Sequence, residues 1–195
     1  SINFGASYNN FTLEKYTEIN FALADTFYIA FSFKTTEANS RFIVDSRVLG
    51  KSGLGVTINY ITAGKLGFFL FDNTTVNKIG IELNTTVNDG LSHTVILKYN
   101  GSGIASGMSA LLDGVATSVT VRATDTVTEI QNINAPYILG NYDGLQLDLG
   151  MLLISSGNWD SDFTTTFQNH CITPNTWIPE KYISNPIITT FTGAN

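Results

Sequence analysis

Three turn dipeptides, at positions 89–90, 100–101 and 113–114, constrain the fold of this chain more than any other sequence feature. They are Asp-Gly, Asn-Gly and Asp-Gly, whose residues tolerate the positive φ angles of tight turns. The segments that they bracket, residues 91–99 and 108–112, are too apolar and β-branched to be loops. We therefore predict two strands here, each ended by a turn.

Alternating side chains extend this β pattern along the chain. In residues 26–34, large apolar side chains recur at every second position from Phe27 to Phe33. This period places one face of a strand in the core and the other towards solvent. Further strands are predicted at residues 2–4, 11–19, 41–45, 54–60, 66–71, 79–83, 115–121, 137–140, 145–155 and 187–191. Strands at this spacing without intervening helices indicate a two-sheet sandwich.

Residues 66–71 form a strand of a different kind, because Phe68, Phe69 and Phe71 make both of its faces apolar. Such a strand is central in its sheet, or one of its faces is covered by a loop or by a partner.

One short helix is predicted near residues 161–168. Residues 160–162, Asp-Ser-Asp, supply N-cap side chains, and acidic groups suit the positive end of a helix dipole. Phe163 and Phe167 are four positions apart and would share one buried face.

Length and charge limit the partners of the chain. Its 195 residues fit one β-sandwich domain over residues 1–195. A formal net charge of −6 argues against the basic face that nucleic-acid binding requires. No apolar run approaches the roughly 18 residues of a membrane span, and no signal peptide is visible. The single Cys171 cannot form an intrachain disulfide, which favours folding in a reducing cytosol.

The order of turns and strands resembles the laminin-G-like, concanavalin A-like jelly roll. The family's middle motif is matched by Asp89, Gly90, His93, Val95, Asp113 and Gly114. The tryptophan that precedes the histidine in the family's motif is replaced here by Ser92. The closing motif is matched by Gly140, Gly144, Leu147, Asp148 and Leu149. The resemblance covers about residues 27–167 and implies an all-β, antiparallel two-sheet jelly-roll sandwich.

Paired carboxylates of a glycoside hydrolase are missing from the sequence. Hydrolases with this fold place acids two and three residues apart on one strand, because one protonates while its partner attacks or activates water. Glu14 and Glu18 are the closest pair and lie in a weak segment, and Asp143 and Asp148 fall on opposite faces of a strand. We therefore assign no catalytic residue.

Imidazole and thiol ligands are few. They are His93, His170 and Cys171, fewer than the four groups of a structural zinc site. We expect His93 to pack beside a turn and Cys171 to be a small buried apolar residue.

Calcium is the cation that the resemblance implies, since laminin-G-like domains often bind it at a loop rim with Asp, Asn and carbonyl oxygens. Its candidate ligands are Asp72 with Asn73, or Asn141 with Asp143. Turn chemistry explains both pairs without an ion, so no cofactor is required.

Carbohydrate binding needs an exposed aromatic face beside amides and carboxylates. Three loop segments have this makeup, and their candidate residues are Asn141, Tyr142, Asp143, Asn158, Trp159 and Trp177. The alternative for each ring is that it caps the edge of the core.

We predict a non-catalytic recognition or adhesion module that binds a glycan or a surface protein through rim loops. The first alternative is a structural or decoration protein that docks onto a larger assembly, with protein partners in an oligomer or particle. The second is a polysaccharide-cleaving enzyme. A virion or other extracellular surface assembly is the expected setting, because phage tail, fibre and head-decoration proteins often use this fold.

Overall fold

The computed structural model describes residues 2–3, 11–13, 20–47, 52–72, 77–130, 137–140, 145–157, 163–172 and 187–190. Within these ranges the chain forms two antiparallel sheets and one α-helix. The antiparallel two-sheet sandwich expected from the alternating strands is therefore confirmed.

Sheet A is built around two long strands, β3 and β13. The order of its strands is β1 (Ile2–Asn3), β13 (Leu147–Ser156), β3 (Thr26–Thr35), β8 (Ser92–Asn100), β9 (Met108–Leu112) and β10 (Val115–Ala116). A further strand, β14 (Ile187–Thr190), also pairs with β13. Both β1 and β14 lie on the edge of β13 that faces away from β3.

Sheet B has β6 near its middle, as expected for a strand with two apolar faces. The order of its strands is β11 (Val119–Thr124), β7 (Lys78–Thr86), β6 (Lys65–Phe71), β5 (Gly53–Ile58), β4 (Arg41–Asp45), β12 (Tyr137–Leu139) and β2 (Phe11–Leu13). The strand predicted at residues 11–19 is shorter, and as β2 it lies at the end of this order.

The main core lies between the two sheets. Phe27, Ile29 and Phe31 of β3 contribute one side of it, and Phe68 and Leu70 of β6 contribute the other. The rings of Phe27 and Phe68 meet edge to face across the core, with their centroids 6.3 Å apart. Each fully buried side chain of this size contributes about 2 kcal/mol to folding, so the alternating positions specify which face of each strand is inside.

Helix α1 (Phe163–Ile172) covers the outer face of sheet A. Phe163 and Phe167 are both fully buried, and the Phe163 ring packs 5.1 Å from that of Tyr28 on β3. The predicted short helix is thus confirmed, with its end four residues later than expected. No helix in the described ranges has the length and hydropathy of a membrane span.

Residues 115–121 do not form the single strand that their alternation predicts. The first part, β10, pairs with β9 in sheet A, and the second part, β11, pairs with β7 in sheet B. The Thr117 N–H donates to Ala110 O in sheet A, whereas Ser118 O accepts from the Asn84 N–H in sheet B. The chain therefore crosses between the sheets at these two residues, a change of partner that alternation alone does not reveal.

Candidate functional site

The loop residues predicted to bind sugar lie outside the described residues. This applies to Asn141, Tyr142, Asp143, Asn158, Trp159 and Trp177. Their role in ligand binding therefore stays a prediction.

Asp72 is the one candidate calcium ligand within the described ranges, since Asn73, Asn141 and Asp143 lie outside them. Its side chain is buried, and Oδ2 accepts hydrogen bonds from the Thr128 N–H at 2.9 Å and from the Thr128 hydroxyl at 3.1 Å. Asp72 thus fixes the segment that follows β11. In the described part of the chain, no group of three or more His, Cys, Asp or Glu side chains is arranged to hold a metal ion.

His93, from the family-like motif, joins two Asp-Gly turns of the scaffold. Its Nδ1 lies 2.8 Å from Asp113 Oδ2 and its Nε2 lies 3.1 Å from Asp89 Oδ1. The ring also packs 5.8 Å from that of Phe33. Burial opposes the charged imidazole, but the hydrogen bonds to the two carboxylates outweigh burial and raise the pKa of His93. The sequence predicted the packing but not the double link to carboxylates.

The outer face of sheet B carries a second aromatic cluster. Phe69 and Phe71 point outwards because they alternate along β6 with Phe68 and Leu70, which face the core. Phe42 of β4 and Ala123 of β11 extend the cluster, and the partly exposed Tyr60 packs against it. Its members therefore come from both halves of sheet B.

Two glycines make room for Phe69 on this face. A Cβ atom on Gly80 would lie 2.0 Å from Phe69 Cδ1, and one on Gly67 would lie 2.5 Å from Phe69 Cε2. These residues are the neighbours of Phe69 on β7 and on its own strand. Because any side chain there would overlap the ring, the glycines allow Phe69 to lie close against the backbone of the sheet.

Two cations of the chain lie over these rings. The Arg47 guanidinium carbon is 3.8 Å from the centroid of the Phe42 ring and 4.8 Å from that of Phe71. Lys78 Nζ is 5.0 Å from the centroid of the Tyr60 ring and donates a hydrogen bond of 3.2 Å to the Tyr60 hydroxyl. All three distances to ring centroids are within the range of cation–π attraction, which positions the two charges against the aromatic rings.

A polar cluster borders the rings at Arg122. The Glu82 carboxylate, 1% exposed, accepts from Arg122 Nε at 2.9 Å and from the Thr62 N–H at 2.9 Å. Arg122 Nη2 donates to the Thr62 hydroxyl, also at 2.9 Å. These bonds hold the loop between β5 and β6 against β7 and β11.

We call this whole surface the aromatic–cationic face, and it comprises Phe42, Arg47, Tyr60, Phe69, Phe71, Lys78 and Arg122. Its two buried carboxylates, Asp45 and Glu82, are each bonded to an arginine. Acid–base catalysis needs carboxyl groups that exchange protons with a substrate, whereas these two are buried and ion-paired.

No protein-family model and no curated protein sequence matches the chain. Its fold does match solved structures. The binding domain of Paraclostridial Mosquitocidal Protein 1 superposes with a TM-score of 0.58 at 12% identity, over 88% of this chain and 43% of that chain. Domains LG4-5 of the mouse laminin α1 chain superpose with a TM-score of 0.59 at 14% identity, over 80% of this chain and 42% of that chain.

A third match is CBM40 of the Ruminococcus gnavus IT-sialidase bound to α2,3-sialyllactose, with a TM-score of 0.54 at 14% identity. It covers 84% of this chain and 92% of that chain. This chain thus spans less than half of the mosquitocidal and laminin chains, but nearly all of the CBM40 chain. At these identities the matches establish the fold, and the laminin-G-like jelly roll expected from the motifs is confirmed.

Proposed function

We propose that this chain is a non-catalytic recognition module that binds a glycan on the aromatic–cationic face of sheet B. The observation that carries the proposal is the position of Tyr60. Its ring is partly exposed and packs both against the Phe69 ring, 5.3 Å away, and against the ammonium of Lys78, which itself lies 6.0 Å from the Phe69 ring. Sheet A has no equivalent surface among its described residues, because helix α1 packs on its outer face.

The chemistry of the face suits a sugar. An aromatic ring offers the C–H groups of a pyranose an apolar surface, and nearby donors satisfy its hydroxyl groups. Lys78 and Arg122 supply such donors on two sides of the loop that carries Tyr60. Because Glu82 already holds that loop through Thr62, little ordering is needed when a ligand binds.

Two of the structural neighbours support a binding function. One is described as the binding domain of a mosquitocidal protein, and another is a CBM40 bound to α2,3-sialyllactose. The fold of both is shared with this chain, and the saccharide held by the second supports the choice of a glycan for the first tests.

A glycan array probed with the full chain tests the proposal, followed by calorimetry on each glycan that binds. Tyr60→Ala should abolish binding because it removes the ring, whereas Tyr60→Phe keeps the ring and should retain most of it. Tyr142→Ala and Trp159→Ala test the rim loops predicted from the sequence. If these loop variants lose binding while Tyr60→Ala retains it, the site lies on the loops. If no glycan binds at all, the proposed function is wrong.

A structural role within a larger assembly is the second candidate, favoured by two exposed valines. Val115 on β10 is 68% exposed and Val121 on β11 is 45% exposed. These strands end the described order of sheet A and of sheet B, so their outer edges can pair with another protein. Light scattering after size-exclusion chromatography would detect self-association, and Val121→Lys should abolish it if β11 forms the interface.

The virion or other extracellular assembly inferred from the sequence remains part of this proposal. Its test is direct, because antibodies against the purified chain should label intact particles from the source. Absence of the chain from purified particles would remove the virion from the proposal while leaving glycan binding in place.

A further inference from the structure

The aromatic–cationic face differs in charge from the chain as a whole. The chain has a formal net charge of −6, yet the exposed or partly exposed ionic side chains of this face are those of Arg47, Lys78 and Arg122. The carboxylates of the face, Asp45 and Glu82, are buried and each already bonds to an arginine, and the exposed Asp125 beside the face accepts from the Lys78 N–H at 3.1 Å. The cationic groups of the face are therefore more accessible to a ligand than its two buried carboxylates.

Lys78 has unused binding capacity. Among the described residues, its Nζ forms no salt bridge and donates one hydrogen bond, to the Tyr60 hydroxyl. A lysine ammonium has three donors, so two remain for a ligand. Its position 5.0 Å from the Tyr60 ring centroid fixes the charge next to the surface on which a sugar would stack.

Arg122 is available in the same way. Its Nε bonds to Glu82 and its Nη2 to Thr62, which leaves Nη1 without a bond to any described residue. The side chain is 30% exposed. Because Glu82 and Thr62 hold the guanidinium in one orientation, its remaining N–H groups point to a fixed position beside the loop.

We propose that the glycan bound here is anionic, with its carboxylate or sulfate group held by Lys78 and Arg122 and its ring stacked on Tyr60. This inference rests on the proposed function and names the substrate class of the same site. Because the chain as a whole is acidic, binding of an anion depends on this local charge and on the stacking ring together. A neutral glycan would stack on the ring but would offer no charged acceptor to the Lys78 ammonium or to Arg122 Nη1.

The test compares three saccharides that share one core: lactose, 3′-sulfolactose and 3′-sialyllactose. Calorimetry with the full chain should show both anionic sugars binding at least tenfold more tightly than lactose. Lys78→Gln and Arg122→Gln should each weaken binding of the anionic sugars about tenfold and that of lactose much less, because each removes one charge-assisted contact while the glutamine amide still donates to a hydroxyl group. Lys34→Gln on sheet A makes the same change of net charge away from the site and should have no effect.

Each outcome decides between the two proposals. Equal affinity for lactose and the anionic sugars, unchanged by Lys78→Gln, would overturn the anionic class and keep glycan binding. Binding of no sugar in the series or on the array would overturn both. Binding of an acidic peptide that is lost in Lys78→Gln, with no sugar bound, would assign the face to a protein partner and overturn the saccharide.

Discussion

His93 and Asp113 connect the start of β8 to the turn after β9 through a hydrogen bond of 2.8 Å between Nδ1 and Oδ2. The second ring nitrogen faces Asp89 Oδ1 at 3.1 Å. An ionised carboxylate only accepts hydrogen bonds, so both nitrogens donate only when the ring is an imidazolium. The two Asp-Gly turns are therefore joined through both ring nitrogens when the histidine is protonated.

Stability should depend on pH through this ring. The raised pKa of His93 means that its contribution is fully present below the unfolded value of 6.5 and is lost as pH rises through the folded-state pKa. The pKa of Asp89 is lowered, chiefly by the Leu91 N–H, so Asp89 stays ionised throughout. We expect the free energy of unfolding in urea to fall by on the order of 1 kcal/mol between about pH 6 and about pH 9.

His93→Gln should remove most of this dependence, because glutamine does not titrate. Titration by NMR provides an independent measurement, since the chain has two histidines and the variant assigns their signals. Parallel pH profiles of the free energy of unfolding for the original chain and the variant would contradict the prediction.

Gly80→Ala should destabilise the protein by about 1–3 kcal/mol, because the added Cβ would overlap the Phe69 ring. A double-mutant cycle with Phe69→Leu checks the cause. The leucine side chain leaves space above Gly80, so alanine should cost less in that background. If the effects of the two substitutions on the free energy of unfolding are additive, the Phe69 ring is not what excludes a side chain at position 80.

Tyr99→Phe should cost about 1–3 kcal/mol in chemical denaturation. The buried Tyr99 hydroxyl donates to Leu23 O at 2.7 Å and accepts from the Gly103 N–H at 2.6 Å, and phenylalanine leaves both groups without this partner. Tyr60→Phe removes a hydroxyl whose residue is partly exposed and whose bond water can replace, so it should cost less. Equal losses in the two variants would argue against this account.

Phe163→Ala should cost about 3–5 kcal/mol, because it opens a cavity between helix α1 and the outer face of sheet A. Increased binding of a hydrophobic dye should accompany the loss as Tyr28 becomes accessible. Thr165→Ala, on an exposed position of the same helix, should leave the free energy of unfolding nearly unchanged. If Phe163→Ala binds no more dye than Thr165→Ala, the helix does not cover the outer face of sheet A.

The strands were predictable wherever the size of the side chains alternates with the backbone period. Strand β3 is one example, since Phe27, Ile29, Phe31 and Phe33 all face the core. The alternation did not reveal that Tyr28 and Ala30 on its other face are also buried, under helix α1. Residues 115–121 show the limit of this signal, because alternation defines faces and not the sheet to which a strand pairs. That choice depends on the hydrogen bonds of Thr117 to Ala110 and of Ser118 to Asn84, and the second of these partners is distant along the sequence.

The candidate site was signalled in the sequence by one strand only. The two apolar faces of β6 indicated a central strand or a face covered by a loop or a partner, but not which residues meet Phe69 and Phe71. Lys78, Tyr60 and Arg122 meet there because β7, the loop after β5 and β11 are brought together by strand order in sheet B. Strand order is set by pairing between distant segments, so residue types and local spacing do not reveal it.

The pairing of β3 with β13 favours aggregation of this chain while it is being synthesised. A ribosome releases β3 early, yet Phe27 pairs with Ser156 and Thr35 with Leu147, which emerge much later. Both faces of β3 are largely buried in the folded chain. Until β13 emerges, these faces are only partly covered and one edge of the strand has no partner strand. Such distant pairing slows folding and favours aggregation, so nascent chains that stop before β13 are expected to need chaperones.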